Sequence, residues 1–298
     1  MTTPITILMS VYNGVPYVKY AIESILQQTF TDFRFLIFDD ASTDGTSQLL
    51  AQYTLQDERI KIVTNDRRYG LGANLARGVE MAQTPWIARM DADDVAFPNR
   101  LELQLKYVEQ HPYISVLGGY AIELNSQGQI VSERKVPTSH QQIKKLVWTC
   151  PFIHGTVLLN RESILKVGSY SKKLAKRQDY ELWFRCAKAN LKFANLPTPL
   201  IYYRFTDNTL QRNNWKVALT HVAIGWWGCW IIKASLFAYL AVTKQLIIAL
   251  LPSPLRYVAY QWLKQFDPRQ KCLDKNTVWI SRKYQPEEQL QTQGKQFD

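Results

Sequence analysis

The chain is poor in cysteine, and its cysteines are spaced too widely to suggest a metal or disulfide framework. Cys150, Cys186, Cys229 and Cys272 form no C-x-x-C pair among 298 residues. This spacing argues against structural zinc and suits a reducing cytosol. There is also no internal repeat and no basic segment leading into an apolar core of the kind that marks a signal peptide. We therefore expect a cytoplasmic protein.

Acidic residues are scarce in the last third of the chain. Residues 200–298 carry 13 basic and 6 acidic side chains, within a net charge of +11 for the whole chain. This basic excess adjoins a tryptophan-rich apolar stretch from Trp215 to Trp262, a combination that suits the headgroup region of an anionic membrane. Nucleic acid is the competing partner for such charge, but no helix-turn-helix, zinc or RNA-binding signature accompanies it. We therefore expect a membrane surface, and not a nucleic acid, as a partner.

The same region lacks an unbroken apolar run of roughly 20 residues, which a spanning helix needs. Lys233 and Lys244 interrupt the run, and Pro252 and Pro254 end it, so we expect interfacial or hairpin insertion. An amphipathic helix is predicted next, because apolar residues recur there at helical spacing. They are Leu255, Val258, Ala259, Trp262, Leu263 and Phe266. The alternative is that these helices pack against the rest of the protein or against a second subunit.

Length and composition predict one large domain, residues 1–210, followed by a basic, tryptophan-rich helical extension, residues 211–298, with a polar tail. In the first part, apolar runs begin near residues 5, 34, 60 and 86, and helical patterns lie between them. Runs that are apolar on both faces suit a parallel sheet covered by helices. The sequence therefore predicts a doubly wound α/β fold, in which ligands bind at the carboxyl ends of the strands.

Two of the predicted strands end in clustered carboxylates. One runs into Asp39 and Asp40, and the other runs into Asp91, Asp93 and Asp94. Three acids at one strand end repel one another, and a hard divalent cation bound between them would remove that repulsion. Oxygen-only ligands indicate Mg²⁺ or Mn²⁺ rather than zinc. The competing interpretation of a lone D-x-D is a solvated acidic turn before the next helix.

The first strand ends at Tyr12, in the segment MSVYNG. In a doubly wound sheet Tyr12, Asp40 and the acids at 91–94 would converge on one crevice at the carboxyl ends of the strands. A shared crevice makes a ligand site at this edge a stronger hypothesis than an isolated acidic turn.

Six groups of short segments occur in an order that resembles a known family. They are MSVYNG, LIFDDASTDGT, IARMDADD with FPNRLELQ, HGTVLLNR with VGSY, RQDYELWFR and NLPTPLIYYR. Together they are similar to family 2 of the glycosyltransferases, over most of residues 1–210. Each segment alone is a weak signal, whereas six in order are specific. The resemblance implies the GT-A nucleotide-sugar-binding fold, and IARMDADD resembles members that build bacterial surface polysaccharides and lipopolysaccharide outer cores.

The resemblance also implies a role for each motif residue. Tyr12 would lie against the uracil ring of a uridine diphosphate sugar, and Asp40 would accept the uracil N–H. Asp93 would bind the metal directly, with Asp91 holding the ribose or a metal-bound water and Asp94 in support. A Mn²⁺ or Mg²⁺ ion between the donor's phosphates would neutralise charge on the departing diphosphate.

Asp179 matches the family's general base, because the spacing to Arg185 through YELWF reproduces the family pattern. Such a base would take the proton from an acceptor hydroxyl that attacks from the far side of the sugar, so that configuration inverts. The alternative is an acid favoured at a helix N-terminus. His154 is either a core histidine or a contact to the acceptor or diphosphate. Arg204 either reaches donor phosphate or forms a surface ion pair, and Asp39 is expected to be a structural acceptor.

Three positions depart from the family pattern. Gln178 stands where an acid commonly precedes the base, which removes a neighbouring charge. Ala76 replaces an asparagine of the donor site, with Asn74 two positions earlier. Asn214 replaces the arginine of the Gln-x-x-Arg-Trp box of processive synthases, so we expect one sugar to be transferred per encounter.

The sequence therefore predicts an inverting, metal-dependent glycosyltransferase at the cytoplasmic face of the membrane, acting on a glycan or lipid-linked acceptor. One alternative is an inactive binding protein of the same family, against which the intact Asp40, Asp93 and Asp179 argue. The other is a nucleotidyltransferase, which would typically carry a glycine-rich basic loop after its first strand. SVYNGVPY is not such a loop.

Overall fold

The computed structural model describes residues 4–204, 215–250 and 269. The strands are β1 Ile5–Val11, β2 Phe33–Asp39, β3 Ile60–Thr64, β4 Trp86–Asp91, β5 Val95–Ala96, β6 Ile114–Leu124, β7 Ile130–Arg134, β8 Leu158–Asn160 and β9 Lys192–Arg204. The helices are α1 Val18–Leu26, α2 Thr46–Gln56, α3 Leu71–Met81, α4 Arg100–Gln110, α5 His140–Lys145, α6 Arg161–Lys166, α7 Gln178–Lys188, α8 Trp215–Ile231 and α9 Leu236–Leu250. Two 3₁₀ turns, Val147–Thr149 and His154–Thr156, lie between α5 and β8.

In the described part of the chain the strands form one mixed sheet with the order β3-β2-β1-β4-β8-β6-β9-β5, and β7 pairs with β6. The first four strands are all parallel, and β6 and β9 are parallel as well. Strand β8 runs antiparallel to both of its neighbours, β4 and β6. The predicted α/β alternation is confirmed, because the strands begin at residues 5, 33, 60 and 86.

Helices cover both faces of the sheet, as a doubly wound fold requires. Alternate side chains of β1 point to opposite faces, because successive residues of a strand do so. Ile7 packs on the face covered by α1, α2 and α4, whereas Leu8 packs on the face covered by α3, α6 and α7. Both side chains are almost fully buried, which explains why the strand reads as a continuous apolar run.

Helices α8 and α9 form a hairpin that packs on α7. The ring of His221 in α8 stacks on the ring of Tyr180 in α7, with centroids 4.5 Å apart. Glycine allows a close approach at Gly228, where a Cβ atom would lie 2.3 Å from the ring of Phe184. The inner face of the hairpin therefore packs against α7. This agrees with the alternative interpretation that these helices pack against the rest of the protein.

The outer face of the α8–α9 hairpin is apolar and exposed. Trp230 is 71% exposed and Leu236 is 75% exposed. Other large apolar side chains of the hairpin are also exposed: Trp215, Leu219, Trp226, Trp227, Phe237, Leu240, Ile247 and Leu250. Among the described residues, none of the helices combines the length and hydropathy needed to cross a bilayer.

Several predictions concern residues outside the described part of the chain. The proposed domain boundary between residues 210 and 211 and the first four residues of the partial QRNNW motif lie in 205–214. The predicted amphipathic helix through Trp262 and Phe266, and the polar tail, lie beyond residue 250. These remain predictions.

Candidate functional site

The loop after β1 is held against the loop after β2 by hydrogen bonds to side chains of the polar turn DDASTDGT. The backbone N–H of Asn13 donates to Ser42 Oγ at 3.0 Å, and that of Gly14 donates to Thr46 Oγ1 at 2.9 Å. Asn13 adopts a left-handed backbone conformation with φ 52°, which asparagine tolerates better than most residues. These bonds hold the segment that carries Tyr12 against the end of the neighbouring strand.

Asp39 is a buried structural acceptor. Its carboxylate accepts from the backbone N–H of Ser42 at 3.0 Å and from the hydroxyl of Ser47. This confirms the prediction that Asp39 supports the turn.

Asp40 holds the loop between β3 and α3. Its carboxylate accepts hydrogen bonds from Asn65 Nδ2 at 2.9 Å, from the N–H of Tyr69 at 2.8 Å and from the N–H of Gly70 at 2.9 Å. Burial alone would raise the pKa of Asp40, but bonds from Asn74, Tyr69, Asn65 and Gly70 lower it below its usual value. A carboxylate offers roughly four lone-pair sites, and the bonds from Asn65, Tyr69 and Gly70 take three of them, so the ionised Asp40 keeps at most about one site for a ligand.

Tyr12 lies beside this loop. Its ring is 38% exposed, and the guanidinium of Arg68 lies over it, 3.7 Å from the ring centroid. This cation–π contact places an exposed cation over one face of the ring. Tyr12 and Asp40 therefore both contact the segment 68–70, Tyr12 through Arg68 and Asp40 through the N–H groups of Tyr69 and Gly70, and these residues form the candidate nucleotide pocket.

The order of the strands places the acidic cluster next to this pocket. Ser10 pairs with Asp91, and Val11 pairs with Asp39, so that the ends of β2, β1 and β4 lie side by side. Neighbouring strands are about 4.8 Å apart, which puts the two acidic ends roughly 10 Å from each other. The predicted convergence of the two acidic strand ends on one edge of the sheet is therefore confirmed.

Asp91, Asp93 and Asp94 offer carboxylate oxygens that all lie within 4.8 Å of one another. Asp91 forms a two-pronged ion pair with the buried Arg89. Asp94 is almost fully buried, and its Oδ1 accepts from the N–H of Arg204 at 3.1 Å. Its Oδ2 has no hydrogen-bond partner among the described residues.

Burial and mutual repulsion disfavour ionisation of two acids of this cluster. The surrounding protein atoms and the charge of Asp91 raise the pKa of Asp93 to about 6, although part of its side chain is open to solvent. Burial, Asp91 and Asp93 raise the pKa of Asp94 well above its usual value. An unpaired buried oxygen beside crowded carboxylates fits a hard divalent cation such as Mg²⁺ or Mn²⁺.

Gly155 makes room for the acidic cluster. A Cβ atom there would lie 2.7 Å from Asp94 Oδ2, so any other residue would push the turn His154–Thr156 away from that carboxylate. The glycine of the HGT motif is therefore explained by its close packing against Asp94.

Arg204 lies against the acidic cluster without forming an ion pair there. Its Nε donates to the backbone carbonyl of Asp93 at 3.4 Å, and its guanidinium lies over the ring of Tyr17 at 4.3 Å. Among the described residues the guanidinium forms no surface ion pair, and its predicted contact with donor phosphate stays a prediction. The position of the guanidinium beside the cluster still suits an anionic ligand.

Asp179 is the second residue of α7 and is half-buried. Its Oδ2 lies 3.7 Å from the thiol of Cys150, which donates to it. Gln178, the residue that departs from the family pattern, is buried and packs against the helix α3 near Gly72. Asp179 thus has no acidic neighbour at position 178 and, among the described residues, one weak hydrogen-bond donor.

His154 is hydrogen-bonded through Nε2 to the hydroxyl of Tyr170 at 2.9 Å. Burial and the nearby Arg89 lower the pKa of His154 well below its usual value, so the ring is neutral. Burial raises the pKa of Tyr170, and both Asp179 and Asp91 act on the same hydroxyl. The His154–Tyr170 pair therefore lies between Asp179 and the acidic cluster, as a satisfied pair in the wall of the site.

Several residues that shape the site were not predicted from the sequence. Arg89 carried a signal, because a charged residue two positions before Asp91 in a strand shares its face. Arg100 carried no such signal, and only the structure shows that it is at 0% exposure and donates to the carbonyl of Arg89 at 2.7 Å. Arg68 and Cys150 gave no signal, since their contacts depend on loops distant in sequence.

A family model and curated relatives match this chain. The model described as Glycosyl transferase family 2 matches residues 6–168. An uncharacterized glycosyltransferase of Methanocaldococcus jannaschii is 34% identical over 214 residues, which cover 70% of this chain and 73% of that protein. The Escherichia coli protein WfgD, named UDP-Glc:alpha-D-GlcNAc-diphosphoundecaprenol beta-1,3-glucosyltransferase, is 27% identical over 215 residues, or 71% of this chain and 81% of that protein.

A solved structure shares the fold. S. aureus TarS 1-349, in complex with UDP-GlcNAc, matches with a TM-score of 0.62 at 15% sequence identity, over 86% of this chain and 73% of that chain. At this level of identity the likeness shows a common architecture, which agrees with the predicted GT-A fold.

Proposed function

This chain belongs to glycosyl transferase family 2 and is a glycosyltransferase, and from that premise we propose that it moves a sugar from a uridine diphosphate donor to a hydroxyl of a glycan or lipid-linked acceptor in surface polysaccharide synthesis. One observation carries the proposal. The candidate nucleotide pocket at Tyr12 and Asp40, at the ends of β1 and β2, lies on the same edge of the sheet as the acidic cluster at 91–94, at the end of β4, and the two acidic strand ends are roughly 10 Å apart by strand spacing.

The choice of uridine rests on the pocket and on the relatives. The ring of Tyr12 offers a flat face for a base, and the remaining acceptor site of Asp40 suits the ring N–H of uracil. WfgD is named for a UDP-glucose donor and a diphosphoundecaprenol-linked acceptor, and TarS binds UDP-GlcNAc. These names support a UDP-sugar and a lipid-linked acceptor for this chain.

The proposed metal site consists of Asp93 and Asp94, with Asp91 beside them. A divalent cation held there would supply charge neutralisation to the diphosphate as it leaves. Asp91 already has a cationic partner in Arg89, so we assign the direct contact to Asp93 and the unpaired Asp94 Oδ2. Arg204 lies close enough to add positive charge on the donor side.

Asp179 is proposed as the general base. The acceptor hydroxyl would give its proton to the carboxylate as its oxygen forms a bond to the anomeric carbon, while the bond from that carbon to the diphosphate breaks on the opposite face. Such a displacement inverts the configuration of the sugar. Positioned bases of this kind typically contribute about 10² to 10⁴-fold in rate.

We further propose that the α8–α9 hairpin binds the cytoplasmic membrane surface from one side. Its outer face is apolar and rich in tryptophan, and residues 215–250 contain three lysines and no acidic residue. Tryptophan and basic side chains together favour the headgroup region of an anionic bilayer. A peripheral enzyme held in this way would meet lipid-linked acceptors at the surface.

The decisive experiment measures nucleotide release from UDP-, GDP- and dTDP-sugars. A synthetic N-acetylglucosamine diphospholipid in anionic vesicles serves as the acceptor, with Mn²⁺, Mg²⁺ or EDTA added. We expect release from a UDP-sugar that requires the acceptor and either metal. Release only from a GDP- or dTDP-sugar would refute the uridine assignment, and equal release in EDTA would refute the metal site.

A further inference from the structure

The turn from Val147 to Cys150 lies beside the N-terminus of α7. Its last residue has a backbone conformation that is uncommon for residues other than glycine. Cys150 has φ 57° and ψ 73°, in the left-handed region that normally favours glycine or asparagine. Such a backbone persists where the surroundings hold it. In this position the Cys150 side chain faces the carboxylate of Asp179.

The thiol of Cys150 makes the one hydrogen bond that the described residues give to that carboxylate. Sγ lies 3.7 Å from Asp179 Oδ2, within reach of a sulfur donor. Burial, together with the negative charge of Asp179, raises the pKa of Cys150, so the sulfur keeps its proton and can donate. A thiol is a weak donor, which holds a carboxylate in place without neutralising it.

The turn itself is fixed on both sides. The hydroxyl of Tyr180, next to Asp179 in α7, donates to the carbonyl of Trp148 at 2.9 Å. Within the turn, Thr149 Oγ1 donates to the carbonyl of Leu146 at 2.7 Å. Two adjacent residues of α7 are therefore bonded to residues 148 and 150 of one turn, which sets the position of Cys150 relative to the helix.

We infer that Cys150 is a positioning residue, whose thiol fixes the rotamer in which Asp179 meets the acceptor hydroxyl. This inference rests on the proposed role of Asp179 as the base. The thiol acts through Asp179 and touches neither donor nor metal in this assignment. Its loss should therefore lower kcat and leave the KM values for donor and acceptor unchanged.

The test compares Cys150→Ala, Cys150→Gly and Cys150→Ser, assayed with the fastest UDP-sugar and the diphospholipid acceptor. Alanine and glycine both remove the donor, and glycine also accepts the left-handed backbone without strain. We expect both to lower kcat by about tenfold, and serine, which keeps an O–H donor, to restore it to within about threefold. Cys229→Ala, which removes a buried thiol in the hairpin, is the matched control and should keep the wild-type kcat.

The outcomes separate this inference from the proposed function. If Asp179→Asn keeps full turnover, the base assignment fails. If Asp179→Asn is inactive while Cys150→Gly keeps the wild-type kcat, or loses only acceptor affinity, the base stands and the positioning role is refuted. The double variant Cys150→Gly with Asp179→Asn should be no slower than Asp179→Asn alone, because the two residues act as one unit. Additive losses would overturn the inference as well.

Discussion

Arg89 and Asp91 form a two-pronged ion pair between residues on the same face of one strand. The pair neutralises one acid of the cluster and leaves Asp93 and Asp94 with raised pKa values. A bound cation should therefore stabilise the ionised forms of Asp93 and Asp94 more than that of Asp91.

Asp93→Ala should abolish metal-dependent binding of UDP while leaving the fold intact. Asp93 lies at a strand end, and its side chain is exposed. We expect the affinity for UDP with Mn²⁺ to fall roughly 100-fold or more, and the Tm without metal to stay equal or rise, because a repelled charge is removed. Calorimetry and thermal unfolding measure both quantities. Glu109→Ala, an exposed acid on α4, is the control, and unchanged metal-dependent affinity in Asp93→Ala would remove that residue from the site.

Binding of Mn²⁺ alone should weaken as the pH falls. The pKa of Asp93 is about 6, so near pH 7.5 the carboxylate is ionised and near pH 5 it is mostly protonated. The pKa of this carboxyl is higher in the folded protein than in the unfolded chain, so its contribution to stability is fully present at pH values below the unfolded pKa. That contribution is lost as the pH rises through 6.

A bound cation should offset this loss of stability only near pH 7.5, where the carboxylate is ionised. We therefore expect the Mn²⁺ affinity, measured from the electron paramagnetic resonance signal of the unbound ion, to be at least about tenfold weaker at pH 5 than at pH 7.5. The rise in Tm caused by Mn²⁺ should shrink in parallel. An affinity that is flat across this range would argue against Asp93 as a ligand.

Asp179→Asn should retain donor binding and lose most of its turnover, because an amide cannot accept the hydroxyl proton. We expect kcat to fall by about 10² to 10⁴-fold with the Kd for UDP unchanged. NMR of the product should show an anomeric configuration opposite to that of the donor. A Kd that rises in step with the loss of rate would identify Asp179 as a ligand or a structural acid, and retained configuration would refute the inverting mechanism.

Asp40→Ala should weaken UDP more than it weakens GDP. The carboxylate fastens the N–H groups of Tyr69 and Gly70, so its removal loosens the loop that carries Arg68, and both nucleotides lose affinity. UDP loses the uracil contact in addition, and we expect a drop on the order of 100-fold for UDP. Asp66→Ala, which removes the bond to the Tyr69 hydroxyl but leaves Asp40 in place, is the control. Equal losses for UDP and GDP would contradict the base-reading role.

Replacing Trp226 and Trp230 with serine should release the protein from membranes. Both side chains lie on the outer face of the hairpin, and losing each apolar contact should weaken vesicle binding by roughly tenfold. The measurement is flotation with vesicles that contain or lack anionic lipid. Leu55→Ser is the matched control, since Leu55 is 89% exposed on α2 and lies outside the hairpin. If the wild-type protein floats with neither vesicle type, the outer face serves another purpose.

The first four strands of the fold were predictable because each obeys a local rule. Buried parallel strands such as β1 and β2 read as apolar runs, and the acids that follow them mark the carboxyl edge. The cluster of Asp91, Asp93 and Asp94 was predicted correctly because three residues within four positions of a chain cannot separate far.

Contacts between distant loops were not predictable. Arg68 reaches Tyr12, and Cys150 reaches Asp179, only because of turn conformations that no local pattern specifies. The sequence could likewise propose that Asp40 reads a base, but it could not show that three protein donors already occupy most of that carboxylate. Side chains that serve both the fold and the ligand are the part of a site that sequence patterns describe least well.

The contact of Gly228 with the ring of Phe184 has a consequence for how such enzymes can be divided or recombined. The hairpin covers Phe184 and Tyr180, and these belong to the helix that carries Asp179. A chain cut after residue 210 would expose both aromatic rings and should aggregate, even with its nucleotide pocket complete. Grafting the hairpin of another family member would also require a matching α7, so the hairpin and α7 should be inherited together.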